Sequence, residues 1–183
     1  LTFIGQPTSN RLTNLAWKPD GSYALISGDK ATLIKYDGSQ FTTVPIDVQG
    51  SRNLYGIAWK PDGSYALIVG SSGTIIKYDG VAATIVSNPY GTTIRAVSWH
   101  PSGSYALLVG RNGLMLTYDG TSIGSIATGT SSELYAVDWN PNGEYALAAG
   151  TGGTVLRYSG TGTVLLPTAG LISSSAWVRS IEW

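Results

Sequence analysis

Along the chain, short apolar runs alternate with polar clusters rich in Gly, Pro, Asp and Ser, and no segment between them repeats apolar residues at the 3.6-residue spacing of a helix. The stretch 54–86 is typical. Residues 54–59 (LYGIAW) read as a strand, and Lys60-Pro61-Asp62-Gly63-Ser64 reads as a turn: Pro presets φ near −65° and Gly accepts positive φ without a Cβ clash. Residues 65–69 (YALIV) are apolar at every position, so this strand is expected to be covered on both faces. A Gly-bounded loop, 70–73, leads to a third strand at 74–78, which ends in the hairpin signal Asp79-Gly80, and residues 83–86 make a weaker fourth strand.

The same pattern recurs at 14–38, 55–80, 95–120 and 135–160, and VRSIEW at 178–183 opens a fifth copy. Counted on the repeated tryptophan, the intervals Trp17–Trp59, Trp59–Trp99, Trp99–Trp139 and Trp139–Trp183 are 42, 40, 40 and 44 residues. Four strands, here called A to D, in a unit of this length make one propeller blade. The expected architecture is therefore all-β: a β-propeller of four-stranded antiparallel blades. It has about four complete repeats, near 11–50, 51–91, 92–131 and 132–170, with a partial one at 171–183.

An apolar strand ending in Trp, then Pro-Asp-Gly, then Ser-Tyr-Ala-Leu-Ile, then a Gly-bounded loop and a strand ending in Tyr-Asp resembles the WD40-like β-propeller repeat. The chain is a divergent example. No Gly-His precedes strand A, and strand C ends in Tyr36-Asp37, Tyr78-Asp79, Tyr118-Asp119 or Tyr158-Ser159 in place of Trp-Asp. The resemblance implies a binding scaffold that engages partners through the face built from its D-A and B-C loops. Residues 1–5 (LTFIG) read as a strand D, whereas Trp183 closes a strand A, so partial blades are expected at both termini. Three readings of these ends stay open: part of a longer product, a ring completed by a second copy, or a tight ring of four or five blades.

Composition narrows the chemistry. Eleven Lys and Arg balance eleven Asp and Glu in 183 residues, and only 12% of residues are charged, which gives no overall charge to attract nucleic acid or an anionic membrane. No apolar run approaches the ~20 residues a membrane helix needs. With no cysteine there is no disulfide, thiolate nucleophile or Cys-ligated zinc, and His100, the lone histidine, sits at a variable turn position. Asp20, Asp62, Asp37, Asp79 and Asp119 repeat with the turns and suit local side-chain to backbone bonds. No cofactor, metal or enzymatic activity is expected. The weaker enzymatic alternative would rest on Asp138 and Glu182, just before the repeated Trp. The Ser, Thr and Gly richness leans towards a secreted or cell-surface prokaryotic protein.

Candidate binding residues are those that vary on this regular scaffold. Four residues before the repeated Trp stand Thr13, Tyr55, Arg95, Tyr135 and Arg179, with the parity of the apolar Leu15, Ile57, Val97, Val137 and Ile181. They open strand A, beside the channel mouth in a WD40-like arrangement. Tyr and Arg combine large contact area with directional hydrogen bonds. Tyr55, Arg95, Tyr135 and Arg179, joined by Asn53, Glu133, Trp177 and the B-C loop residue Arg111, are thus expected to bind a protein or peptide. A glycan is the alternative ligand and a second copy of the chain a further partner. The repeated Trp residues are assigned to packing between blades; Trp177 lies outside the repeat register.

Overall fold

The turn and strand chemistry of each repeat folds as one antiparallel sheet. A computed structural model describes residues 5–168, 172–173 and 175–183. The first blade comprises β1 (Leu12–Trp17), β2 (Ala24–Gly28), β3 (Leu33–Tyr36) and β4 (Phe41–Thr43). The second comprises β5 (Leu54–Trp59), β6 (Ala66–Gly70), β7 (Ile75–Tyr78) and β8 (Ala83–Ile85). The third holds β9 (Ile94–Trp99), β10 (Ala106–Gly110), β11 (Met115–Tyr118) and β12 (Ile123–Ser125), and the fourth β13 (Leu134–Trp139), β14 (Ala146–Gly150), β15 (Val155–Tyr158) and β16 (Thr163–Leu165). Strand order within every sheet follows chain order, and the only helical pieces among the described residues are short 3-10 turns. The expected first strand at residues 1–5 falls almost wholly outside the described residues, and Gly5 carries no strand.

Two strand starts move by one residue from the sequence expectation. Tyr65 belongs to the turn because its carbonyl accepts the Lys60 amide at 2.9 Å, and Thr74 stays outside β7 because its amide closes onto the Ser71 carbonyl at 3.1 Å. The weak fourth strand also ends one residue early, at Ile85.

The core lies between blades. Tyr23, Leu25 and Leu33 of the first blade meet Leu54, Ile57, Trp59, Ile68 and Ile76 of the second, and the same apposition recurs between second and third and between third and fourth. The apolar strand β6 is buried on both faces, as expected, and so are β10 and β2, the latter with one hydroxyl, Ser27, in the core. Each interface is keyed by an edge-to-face pair, a favourable aromatic geometry. Tyr23 meets Trp59 at 5.5 Å between ring centroids, Tyr65 meets Trp99 at 5.4 Å and Tyr105 meets Trp139 at 5.5 Å. Lys35 and Lys77 lie over the faces of Tyr23 and Tyr65, at 4.1 and 4.3 Å.

The two end blades differ. On β1, Leu12, Leu15 and Trp17 are 43, 53 and 52% exposed, whereas their counterparts Leu54, Ile57 and Trp59 are buried. Among the described residues no blade packs against this face. At the other end, residues 177–183 take the strand A station of a fifth blade: Trp183 meets Tyr145 edge-on at 5.4 Å. The Gly153 amide reaches the Ala176 carbonyl at 3.2 Å, as Gly113 reaches Ser132 at 2.9 Å. Among the described residues the segment pairs through the isolated bridge Thr151–Trp177 and forms no ladder.

Candidate functional site

The residue four before the repeated Trp is placed by an irregularity in each ladder. Leu54 pairs with Gly70 but Gly56 pairs with Val69, leaving Tyr55 as an extra residue on the inner strand; the register shifts in the same way around Thr13, Arg95 and Tyr135. Such a bulge re-aims a side chain. It also corrects the alternation expected from the sequence. Leu54 and Ile57, three residues apart, enter the same inter-blade core, so Tyr55 is excluded from the face of Ile57 and turns to the channel. The bulge forms where strand B ends in glycine, because the strand A backbone comes so close there that a Cβ would overlap the carbonyl oxygen of Arg11, Asn53, Thr93 or Glu133.

These bulges converge on one groove of about 590 Å³ whose lining includes Tyr55, Arg95, Tyr135 and Arg179, the four residues expected to form a ring. Their side chains stack in alternation. Arg95 lies between two aromatic faces, 4.5 Å from the Tyr55 centroid and 5.4 Å from that of Tyr135. Tyr135 is stacked on Trp177 at 5.9 Å with planes 14° apart, and Arg179 lies over Trp177 at 5.0 Å. Guanidinium groups favour such stacking because they are flat and weakly hydrated.

Glu133 organises the centre. Arg95 Nε donates to its Oε1 at 2.7 Å, Arg111 Nε to the same oxygen at 3.3 Å, and the Tyr135 hydroxyl to Oε2 at 3.1 Å. Burial pushes the Glu133 carboxyl up, but Arg95, Tyr135 and Arg111 outweigh it and hold the group below its ordinary value. Burial raises the Tyr135 hydroxyl, as does its bond to Glu133, with Arg95 and Arg179 opposing. Asn53 serves a different purpose: its Oδ1 accepts the Lys30 amide at 3.1 Å and stitches the first blade to the second. Thr13 turns its hydroxyl to the Leu54 carbonyl and to Ser27.

Sequence reasoning missed Arg11, which lines the groove and is gripped by Asp29 through two bonds, 3.1 and 3.3 Å. It stands two residues before the aligned position, at the station that Asn53, Glu133 and Trp177 hold in other units. The other end of the channel holds Asp138, whose carboxyl is raised by burial although Ser98 Oγ donates to it at 2.9 Å. His100 links two turns: its Nε2–H donates to the Gly143 carbonyl at 3.1 Å and its ring edge meets Trp139 at 4.6 Å. Among the described residues, no three His, Cys, Asp or Glu side chains converge as metal ligands. The turn aspartates bond locally as expected, and the backbone amides of Gln40 and Ser39 lower the Asp37 carboxyl to about 2.

Four-stranded sheets arranged around an axial channel, with inner strands A lining it and outer strands D at the rim, define a divergent WD40-like β-propeller. Residues 25–159, well over half of the chain, match the model of the family described as Eukaryotic translation initiation factor eIF2A, and the chain belongs to that family. No curated protein matches the sequence. Among solved structures, a chain of the mitotic checkpoint complex is similar with TM-score 0.78 and 16% identity, over 94% of this chain and 55% of that one. U3-55K is similar with TM-score 0.76 and 13% identity, over 88% of this chain and 53% of its own. YCF48 bound to D1 peptide follows with TM-score 0.68 and 13% identity, over 89% and 56%. The chain thus spans about half the length of the structures it resembles, and at these identities the likeness is one of fold.

Proposed function

We propose that this protein is a non-enzymatic binding scaffold that engages a protein or peptide through the face formed by its D-A and B-C loops. The observation that carries the reading is the convergence of the bulged residues Tyr55, Arg95 and Tyr135 with Arg179 on one groove. Binding hot spots are rich in such Tyr and Arg side chains, and a groove whose aromatic faces are already stacked loses little side-chain freedom on binding. The framework beneath is fixed by inter-blade Tyr–Trp pairs, while the loops above it vary, the usual division between scaffold and recognition surface. The peptide in the similar YCF48 structure supports a ligand of this kind. A lectin with one weak site per blade would repeat its contact residues, whereas Thr13, Tyr55, Arg95 and Tyr135 differ at the equivalent station.

An arrayed peptide library, probed with the chain and with Tyr135→Ala and Tyr55→Ala, tests the reading. We expect discrete peptide binders that lose about tenfold or more in affinity in either variant, with melting temperatures lowered by only a few degrees, since both side chains are half-exposed. Binders untouched by both variants would contradict the reading.

A further inference from the structure

Zero net charge conceals a polarity along the channel axis. Strands A to D place the D-A and B-C loops at one end and the A-B and C-D turns at the other. Arg11, Lys30, Arg52, Arg95, Arg111 and Arg179 belong to the first end, which carries only three acids: Asp29, Asp47 and Glu133. The remaining five cations and eight acids fall towards the opposite end, so formal charges of +3 and −3 face apart. Charge gathered at a concave mouth, over low-dielectric walls, concentrates oppositely charged ligands.

Within that mouth the donors are not all occupied. Asp29 holds Arg11, and Glu133 holds Arg95 and Arg111 through their Nε atoms. Arg179 makes no ion pair among the described residues and rests on Trp177, while the terminal nitrogens of Arg95 make no hydrogen bond there. A guanidinium stacked by its face keeps its edge donors for a planar acceptor, and a carboxylate fits that fork with two parallel bonds.

We infer that the ligand taken at this face is an acidic peptide segment, its carboxylates held by Arg179 and Arg95 and its backbone and apolar atoms lying on Tyr55, Tyr135 and Trp177. The inference rests on the binding-scaffold reading and specifies its ligand. A nucleic-acid strand fits less well. Its phosphates need a long track of uncommitted cations, and here Asp29 and Glu133 already engage Arg11, Arg95 and Arg111.

The test is fluorescence anisotropy on the full chain with labelled Gly-Glu-Glu-Tyr-Glu-Glu-Gly, its glutamine counterpart, and a thymidine oligonucleotide of equal charge. We expect the glutamate peptide to bind, with the glutamine peptide and the oligonucleotide each about tenfold weaker or more. Arg179→Gln should weaken glutamate-peptide binding about tenfold without moving the melting temperature, because Arg179 is exposed. Arg179→Lys should restore only part of the loss, since the ammonium lacks the fork, and Lys60→Gln at the far end should change nothing. Equal affinity for the glutamine peptide, unaltered binding by Arg179→Gln, or tighter binding of the oligonucleotide would each overturn the inference. If the library yields neutral binders that Tyr135→Ala removes, the scaffold reading stands and the acidic ligand falls. If neither Tyr135→Ala nor Arg179→Gln affects any binder, both fall.

Discussion

At position 31 the first blade departs from the other three. Ala31 has φ 56°, the left-handed region, where the equivalent Gly73, Gly113 and Gly153 have φ of 71, 67 and 68°. A Cβ in that region strains the backbone by about 1 kcal/mol, and the conformation is fixed because this residue's amide spans to the next blade, from Ala31 to the Arg52 carbonyl. Ala31→Gly is therefore expected to stabilise the fold by about 0.5 kcal/mol, net of the freedom glycine adds to the unfolded chain, or ~1–2 °C in a thermal melt. Gly113→Ala should do the opposite by more than 1 kcal/mol, since its Cβ would overlap the Thr130 carbonyl oxygen. A melt in which both substitutions are neutral would contradict the inter-blade stitch. The same scale explains what the sequence hid at the site. Tyr55 and Arg95 stood out by type and station, but Glu133's hold on three separate side chains requires two blades and a loop to be juxtaposed, and no spacing encodes that.

Between elements, one repeat position has two fates. Ile57 is buried between the first and second blades, whereas Leu15, its counterpart on β1, is 53% exposed. Ile57→Ala should cost about 2–4 kcal/mol by leaving a cavity, and Leu15→Ala less than about 1 kcal/mol, in urea unfolding of the purified chain. Comparable losses at both positions would show the leading face to be covered in solution. Strand identity and order were legible because a Pro-Asp-Gly, Pro-Ser-Gly or Pro-Asn-Gly turn and an Asp-Gly or Ser-Gly turn punctuate each unit and the tryptophan fixes its phase. The bulge was not. Strict alternation is the default for a strand, and the close backbone approach that displaces it leaves only a glycine across the ladder as its trace. The Tyr23, Tyr65, Tyr105 and Tyr145 partners of the inter-blade tryptophans were likewise visible as repeats but could be matched to a neighbour only once the blades were stacked.

For the whole molecule, four blades set side by side turn a string of near-identical units into a body with two unlike ends. The turn end is closed by local bonds: Asp20, Asp62, Asp79 and Asp119 each accept backbone amides of their own turn, and Lys18 and Lys60 pair with the aspartate two residues on. The loop end instead gathers a stacked series of Tyr, Arg and Trp side chains with donors left over. Binding at the loop end is tested by hydrogen–deuterium exchange on the full chain, with and without a peptide selected from the array. Added protection is expected at residues 52–56, 93–96, 131–136 and 177–180, with the turns at 18–22, 60–64 and 100–104 unchanged. Protection confined to those turns, or to the exposed face of β1, would contradict it.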